Sequence, residues 1–139
     1  LGYVTDQSAT PGTYPRGIRH SSDAGASWVA ATPSRIASVP RVTSVVFGRS
    51  SLQTGPPVAY AAAWEDGLFV SADGGRSWER FVTPGGHRHY FETLLTVVPP
   101  GADCELLFAA GHDGVWFRNL ADPPHSIFLP LAPRNVALP

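Results

Sequence analysis

The chain of 139 residues has no methionine and no lysine, and cysteine occurs once, at Cys104. A single thiol excludes an intrachain disulfide and any zinc site built from paired cysteines, and leaves a small buried apolar group as its expected role. All ten basic residues are arginines, scattered from Arg16 to Arg134, and the formal net charge is −1. Without a basic cluster, neither nucleic acid nor an anionic lipid surface is an expected partner. No apolar run approaches the roughly 18 residues that span a bilayer, so no transmembrane segment is expected. No window keeps a 3.6-residue apolar period over three turns, which argues against helix. There is no Gly-rich phosphate loop, Ser-His-Asp arrangement or paired-cysteine motif, so nucleotide, nucleophilic and redox chemistry have no support and no cofactor is expected.

What is present is turn material and apolar residues in short runs. Fourteen glycines and fourteen prolines without a collagen period, beside 43% hydrophobic residues, suit many short strands around one ordinary core. The expected fold class is all-β.

Two octets carry the strongest signal. Ser21-Ser22-Asp23-Ala24-Gly25-Ala26-Ser27-Trp28 and Ser71-Ala72-Asp73-Gly74-Gly75-Arg76-Ser77-Trp78 share the spelling Ser-x-Asp-x-Gly-x-Ser-Trp, 50 residues apart. A self-match at that period marks a repeat architecture. Ser and Asp side chains accept from nearby backbone N–H groups, Gly takes the positive φ that closes a turn, and Trp enters the next strand as a core anchor. Ser21, Asp23, Gly25 and Trp28, with Ser71, Asp73, Gly75 and Trp78, are thus read as structural residues.

The octets resemble the Asp-box, or bacterial neuraminidase repeat. In that family the box forms the turn between the third and fourth strands of a β-propeller blade, and it occurs in sialidases, sortilin-type receptors, some plant-polysaccharide hydrolases and a photosystem II assembly factor. The resemblance implies a propeller segment and leaves function open. It also implies a location outside the cytoplasm: secreted, periplasmic or at the cell surface. The sialidase Phe/Tyr-Arg-Ile-Pro motif is missing. Ser34-Arg35-Ile36-Ala37 is the nearest approach and lacks both the aromatic and the proline.

The units follow in order. Residues 1–32 hold about three strands and the first octet, a partial blade. Residues 33–82 hold four strands: Val42 to Phe47, a β-branched run expected to be buried on both faces; Val58 to Trp64; Leu68 to Val70; and Ser77 to Val82. Residues 83–131 repeat the plan with a degenerate box at Arg118 to Pro123, and 132–139 form a tail. Asp-Gly turns at Glu65-Asp66-Gly67 and His112-Asp113-Gly114 fall at matching places. About three blades are fewer than the four to eight of a typical ring. A piece of a longer chain, self-association or a protein partner is expected to complete it.

On a propeller, the octet turns lie on one face, and the loops between blades lie on the other with the second-to-third strand turns. The candidate ligand face therefore comprises Glu65, Asp66, His87, His89, Tyr90, His112 and Asp113. His87 and His89, spaced to share a side of an extended segment, are more simply a solvated loop than a metal site. No metal ligands and no catalytic residues are assigned. The leading functional reading is a non-enzymatic binding or assembly module acting through protein contacts. One alternative is a fragment of a carbohydrate-binding or glycoside-hydrolysing propeller, with Trp64 and Tyr90 as aromatic platforms; another is a structural subunit of an extracellular assembly or membrane complex.

Overall fold

The computed structural model describes residues 2–5, 18–33, 41–48, 56–64, 66–81, 90–112, 114–120 and 129–130. Among these there is no helix. Twelve strands form three sheets. The first sheet contains β1 (Gly2–Thr5), β2 (Ile18–Ser21) and β3 (Val29–Ala30) as an antiparallel meander. The second is the meander β5 (Val42–Phe47), β6 (Ala59–Ala63), β7 (Gly67–Ser71) and β8 (Ser77–Phe81). The third is the meander β9 (Phe91–Val97), β10 (Leu106–Gly111), β11 (Gly114–Asn119) and β12 (Leu129–Pro130). The segment after β3 places β4 (Thr32–Pro33) parallel to the outer strand β8, so the second sheet has five strands.

The second sheet is covered on both faces, and strand alternation divides its side chains between two cores. Ala59, Ala61, Ala63, Phe69, Val42 and Trp78 cluster with Ile18 of the first sheet. Tyr60, Ala62, Leu68 and Phe81 cluster with Phe91, Leu94, Leu107 and Ala109 of the third. The strand buried on both faces is therefore β6, and the β-branched β5 is only half-buried beyond Val42. The physical reason is position: β6 lies inside its sheet between β5 and β7, whereas β5 lies at the sheet's edge. Its four alanines are fully shielded, and small side chains let the flanking sheets approach. Burial pushes the Tyr60 phenol up to about 12, with Glu105 adding to the rise and Arg118 opposing it. Cys104, expected to be buried, is half-buried.

Three hydrogen bonds tie the edge strands of adjacent sheets. The Thr43 hydroxyl donates to the Phe91 carbonyl at 2.8 Å, the Leu94 N–H to the Ser44 hydroxyl at 3.1 Å, and the Thr96 hydroxyl to the Phe47 carbonyl at 2.9 Å.

The two octets adopt one turn. In the second, the Asp73 carboxylate accepts from the backbone of Arg76 and Ser77 at 2.9 Å and from the hydroxyls of Ser71 and Ser77, while Gly75 N–H donates to the Ser71 hydroxyl at 2.8 Å. The first repeats this with Asp23 accepting from Ser21 and Ser27, and Gly25 N–H donating to Ser21 at 2.7 Å. Gly25 and Gly75 have φ of 92° and 90°, and the preceding residue is left-handed too, at 57° for Ala24 and 74° for Gly74. Each indole N–H donates to the carbonyl of the turn glycine at 3.1 Å. The anchors differ in depth: Trp78 is 5% exposed, whereas Trp28 is only half-buried. In the third unit the residue at the place of the octet's first serine is Arg118, buried with its guanidinium 4.4 Å from the centre of the Phe81 ring.

The octet carboxylates give a pH prediction. Hydrogen bonds from the Ser27 side chain and backbone hold Asp23 at about 2. Partial burial would raise Asp73, but the Ser77, Ser71 and Arg76 donors outweigh it and also bring it to about 2. With the folded values depressed, the unfolded chain binds more protons in this range, so stability rises with pH there. It is fully present above the ordinary carboxylate value of about 4 and is lost as pH falls towards 2. Urea melts should show a falling midpoint across that window, and Asp73→Asn should lower the midpoint at neutral pH and flatten the fall. An unchanged slope in the variant would contradict this.

Candidate functional site

The site lies at the end of the sheets away from the octets, since β7 starts beside the Trp64–Gly67 turn and finishes at Ser71, where the octet begins. Two equivalent backbone bonds shape it. Trp64, just after β6, donates its N–H to the Arg41 carbonyl just before β5, at 2.9 Å; His112, just after β10, donates to the Tyr90 carbonyl just before β9, at 3.3 Å. Arg41 and Trp64 thus occupy in one unit the places of Tyr90 and His112 in the next.

Stacking of the second sheet against the third brings these four side chains together. Trp64 meets Tyr90 edge-on with ring centres 5.7 Å apart and His112 at 5.6 Å, and the Tyr90 and His112 rings are 6.4 Å apart. The Arg41 guanidinium lies 5.4 Å from the centre of the Trp64 ring. Edge-on contacts of this kind favour the pairing beyond simple burial. Tyr90 remains 42% exposed, so much of its surface faces solvent. His112 Nε2 lies 3.3 Å from a carboxylate oxygen of Glu92, and both side chains are exposed. Glu92 stands at the β-bulge of β9, the place that Thr43 holds in β5.

Gly111 makes the close approach possible. A Cβ there would fall 1.9 Å from the Tyr90 carbonyl oxygen, so no side chain fits while Tyr90 keeps its place.

Of the residues expected on this face, Tyr90 and His112 belong to the cluster. Asp66 is set apart, bonded to Arg80 at 3.3 Å on the outer side of the second sheet. Glu65, His87, His89 and Asp113 lie outside the described residues. Sequence reasoning missed Arg41 and Glu92. The matched Asp-Gly turns set His112 against Glu65 and Gly111 against Trp64, because the second unit's turn is one residue longer, so the sequence alignment does not reveal that Arg41 and Trp64 stand where Tyr90 and His112 do. Among the described residues no group of three His, Cys, Asp or Glu side chains could hold a metal ion, and no helix is long and apolar enough to cross a membrane.

The cluster can offer aromatic surface with polar groups at its rim: a guanidinium, a carboxylate and an imidazole. Such a mixture suits a neutral ligand with apolar faces and hydroxyl edges.

No known protein family's profile matches the chain. A xyloglucanase from a Paenibacillus species is 33% identical over 88 residues, covering 61% of this chain and 8% of that protein's length. The chain therefore spans a small part of the relative it matches.

Substituting Gly111→Ala tests the geometry. It should displace Tyr90 and destabilise the fold by about 1 to 3 kcal/mol, the range for forcing a methyl into a filled space. An unchanged midpoint in a urea melt would contradict the contact.

Proposed function

We propose that the chain is a segment of a β-propeller from a carbohydrate-active protein, and that it holds a polysaccharide against the Trp64–Tyr90–His112 cluster. The observation that carries this reading is the exposed ring cluster itself, placed where two sheets meet and rimmed by Arg41 and Glu92. A sugar ring offers C–H groups on its face and hydroxyls around its edge. The first suit the exposed surface of Tyr90 and the second suit the polar rim.

The propeller reading is supported by three successive antiparallel meanders, two of which carry the same octet turn before their last strand, and by the side-by-side packing of the β5 and β9 edge strands. The likeness to a xyloglucanase suggests a β-linked plant polysaccharide as the ligand class. A polysaccharide ligand in turn suggests action outside the cytoplasm.

Binding is proposed for this segment rather than cleavage. Glycoside hydrolysis uses two carboxylates about 5 to 10 Å apart across one bond. The two described carboxylates nearest the face are each engaged, Glu92 with His112 and Asp66 with Arg80.

Calorimetric titration with a xyloglucan oligosaccharide tests the proposal. Tyr90→Ala should weaken binding by about tenfold or more, equivalent to about 1.4 kcal/mol, while the unfolding midpoint stays near that of the unaltered chain. Equal affinity in the variant, or no binding by the unaltered chain, would overturn it.

A further inference from the structure

Arg41 and Tyr90 hold the same place in successive units, immediately before β5 and β9, each with its carbonyl taken by the N–H of the residue that follows the next strand. At that one place the two units present different chemistries. Tyr90 offers a ring that is 42% exposed. Arg41 offers a planar cation with N–H donors in a fixed fork and no acceptor. The place itself opens to solvent: Arg41 belongs to the second sheet, which has a sheet packed on each face, and is exposed all the same.

Trp64 relates the two side chains to each other. Its ring centre lies 5.4 Å from the Arg41 guanidinium carbon and 5.7 Å from the centre of the Tyr90 ring. A guanidinium within about 6 Å of an indole ring centre is attracted by the ring's electron-rich face, which restrains a side chain that would otherwise sample many rotamers. The half-buried Trp64 is also joined to Arg41 through the backbone, at 2.9 Å. It is the common support of the arginine fork and the tyrosine ring.

A sugar that rests its flat face on Tyr90 carries its equatorial hydroxyls in the plane of its own ring. Two adjacent equatorial hydroxyls present two acceptor oxygens side by side, a pattern that paired guanidinium N–H groups meet together. An axial hydroxyl leaves that plane and breaks the pattern. We infer that Arg41 is the specificity-determining residue of this site, its guanidinium spanning two adjacent in-plane hydroxyls of the sugar seated on Tyr90. The inference rests on the polysaccharide-binding reading and adds which sugars the site prefers: those with adjacent equatorial hydroxyls. The several donors of a guanidinium let it serve a neighbour and a ligand at once. A lysine at this place would keep the charge and lose the fork, because an ammonium is a point charge without a fixed spacing of donors.

Calorimetric titration with two β-1,4-linked hexasaccharides, one of glucose and one of mannose, tests the inference beside the xyloglucan oligosaccharide. The two differ only at C2, where the hydroxyl is equatorial in glucose and axial in mannose. The unaltered chain should bind the glucose hexasaccharide more tightly by about tenfold, the scale of one lost charge-assisted hydrogen bond. Arg41→Lys, with folding checked by far-ultraviolet circular dichroism, should bring the two affinities together by weakening the glucose hexasaccharide. Asp66→Asn, set apart from the cluster, should keep the preference. Binding of the xyloglucan oligosaccharide without a preference between the hexasaccharides, or a preference that survives Arg41→Lys, would overturn the inference and leave the polysaccharide reading standing. No binding to any of the three would overturn both.

Discussion

Three hydrogen bonds between β5 and β9 hold this structure in register, and each joins a hydroxyl on one edge strand to the backbone of the other. Main-chain groups along a sheet edge are left unpaired unless something meets them. Here Thr43, Ser44 and Thr96 meet them sideways, so two sheets share an edge without merging into one. The apolar contacts behind that seam depend on the resulting separation. Tyr60 and Ala62 from one side, and Phe91, Leu94 and Ala109 from the other, fill the space between the sheets.

The same seam brings the ring cluster together. Arg41 and Trp64 belong to one unit, and Tyr90 and His112 to the next. Each pair is fixed within its own sheet by one backbone bond. Only the alignment of β5 with β9 sets Trp64 within 6 Å of both partner rings. A site between repeats can thus vary by substitution at four positions, three exposed and Trp64 half-buried, while the bonds that place them stay constant. That division of labour, scaffold in the strands and chemistry in the turns, suits a binding surface.

The all-β character was legible in the sequence because glycine, proline and Asp-Gly pairs punctuate short apolar runs. Depth was much less so. Val42 to Phe47 reads as the most buried strand by hydrophobicity, yet Ala59 to Ala63 is sealed and β5 is not, because burial depends on where a strand sits in its sheet and what lies across from it. Trp28 and Trp78 share their spelling and their turn but not their burial. Trp78 finds a cover in the neighbouring core cluster, and local sequence carries no record of that cover. Trp64 and Tyr90 could be marked as candidate platforms from the sequence. Their meeting could not, since 26 residues separate them and it takes the contact of two sheets to close the gap.

The most direct test of the seam is native-state hydrogen exchange at the Leu94 amide. That N–H points away from β10, at the edge of its own sheet, where an amide would ordinarily exchange quickly with water. If it donates to Ser44 across the seam, it should exchange only with opening of the whole domain, and Ser44→Ala should speed it selectively. Fast exchange in the unaltered protein, or a rate indifferent to Ser44→Ala, would contradict the account that the two sheets are held edge to edge.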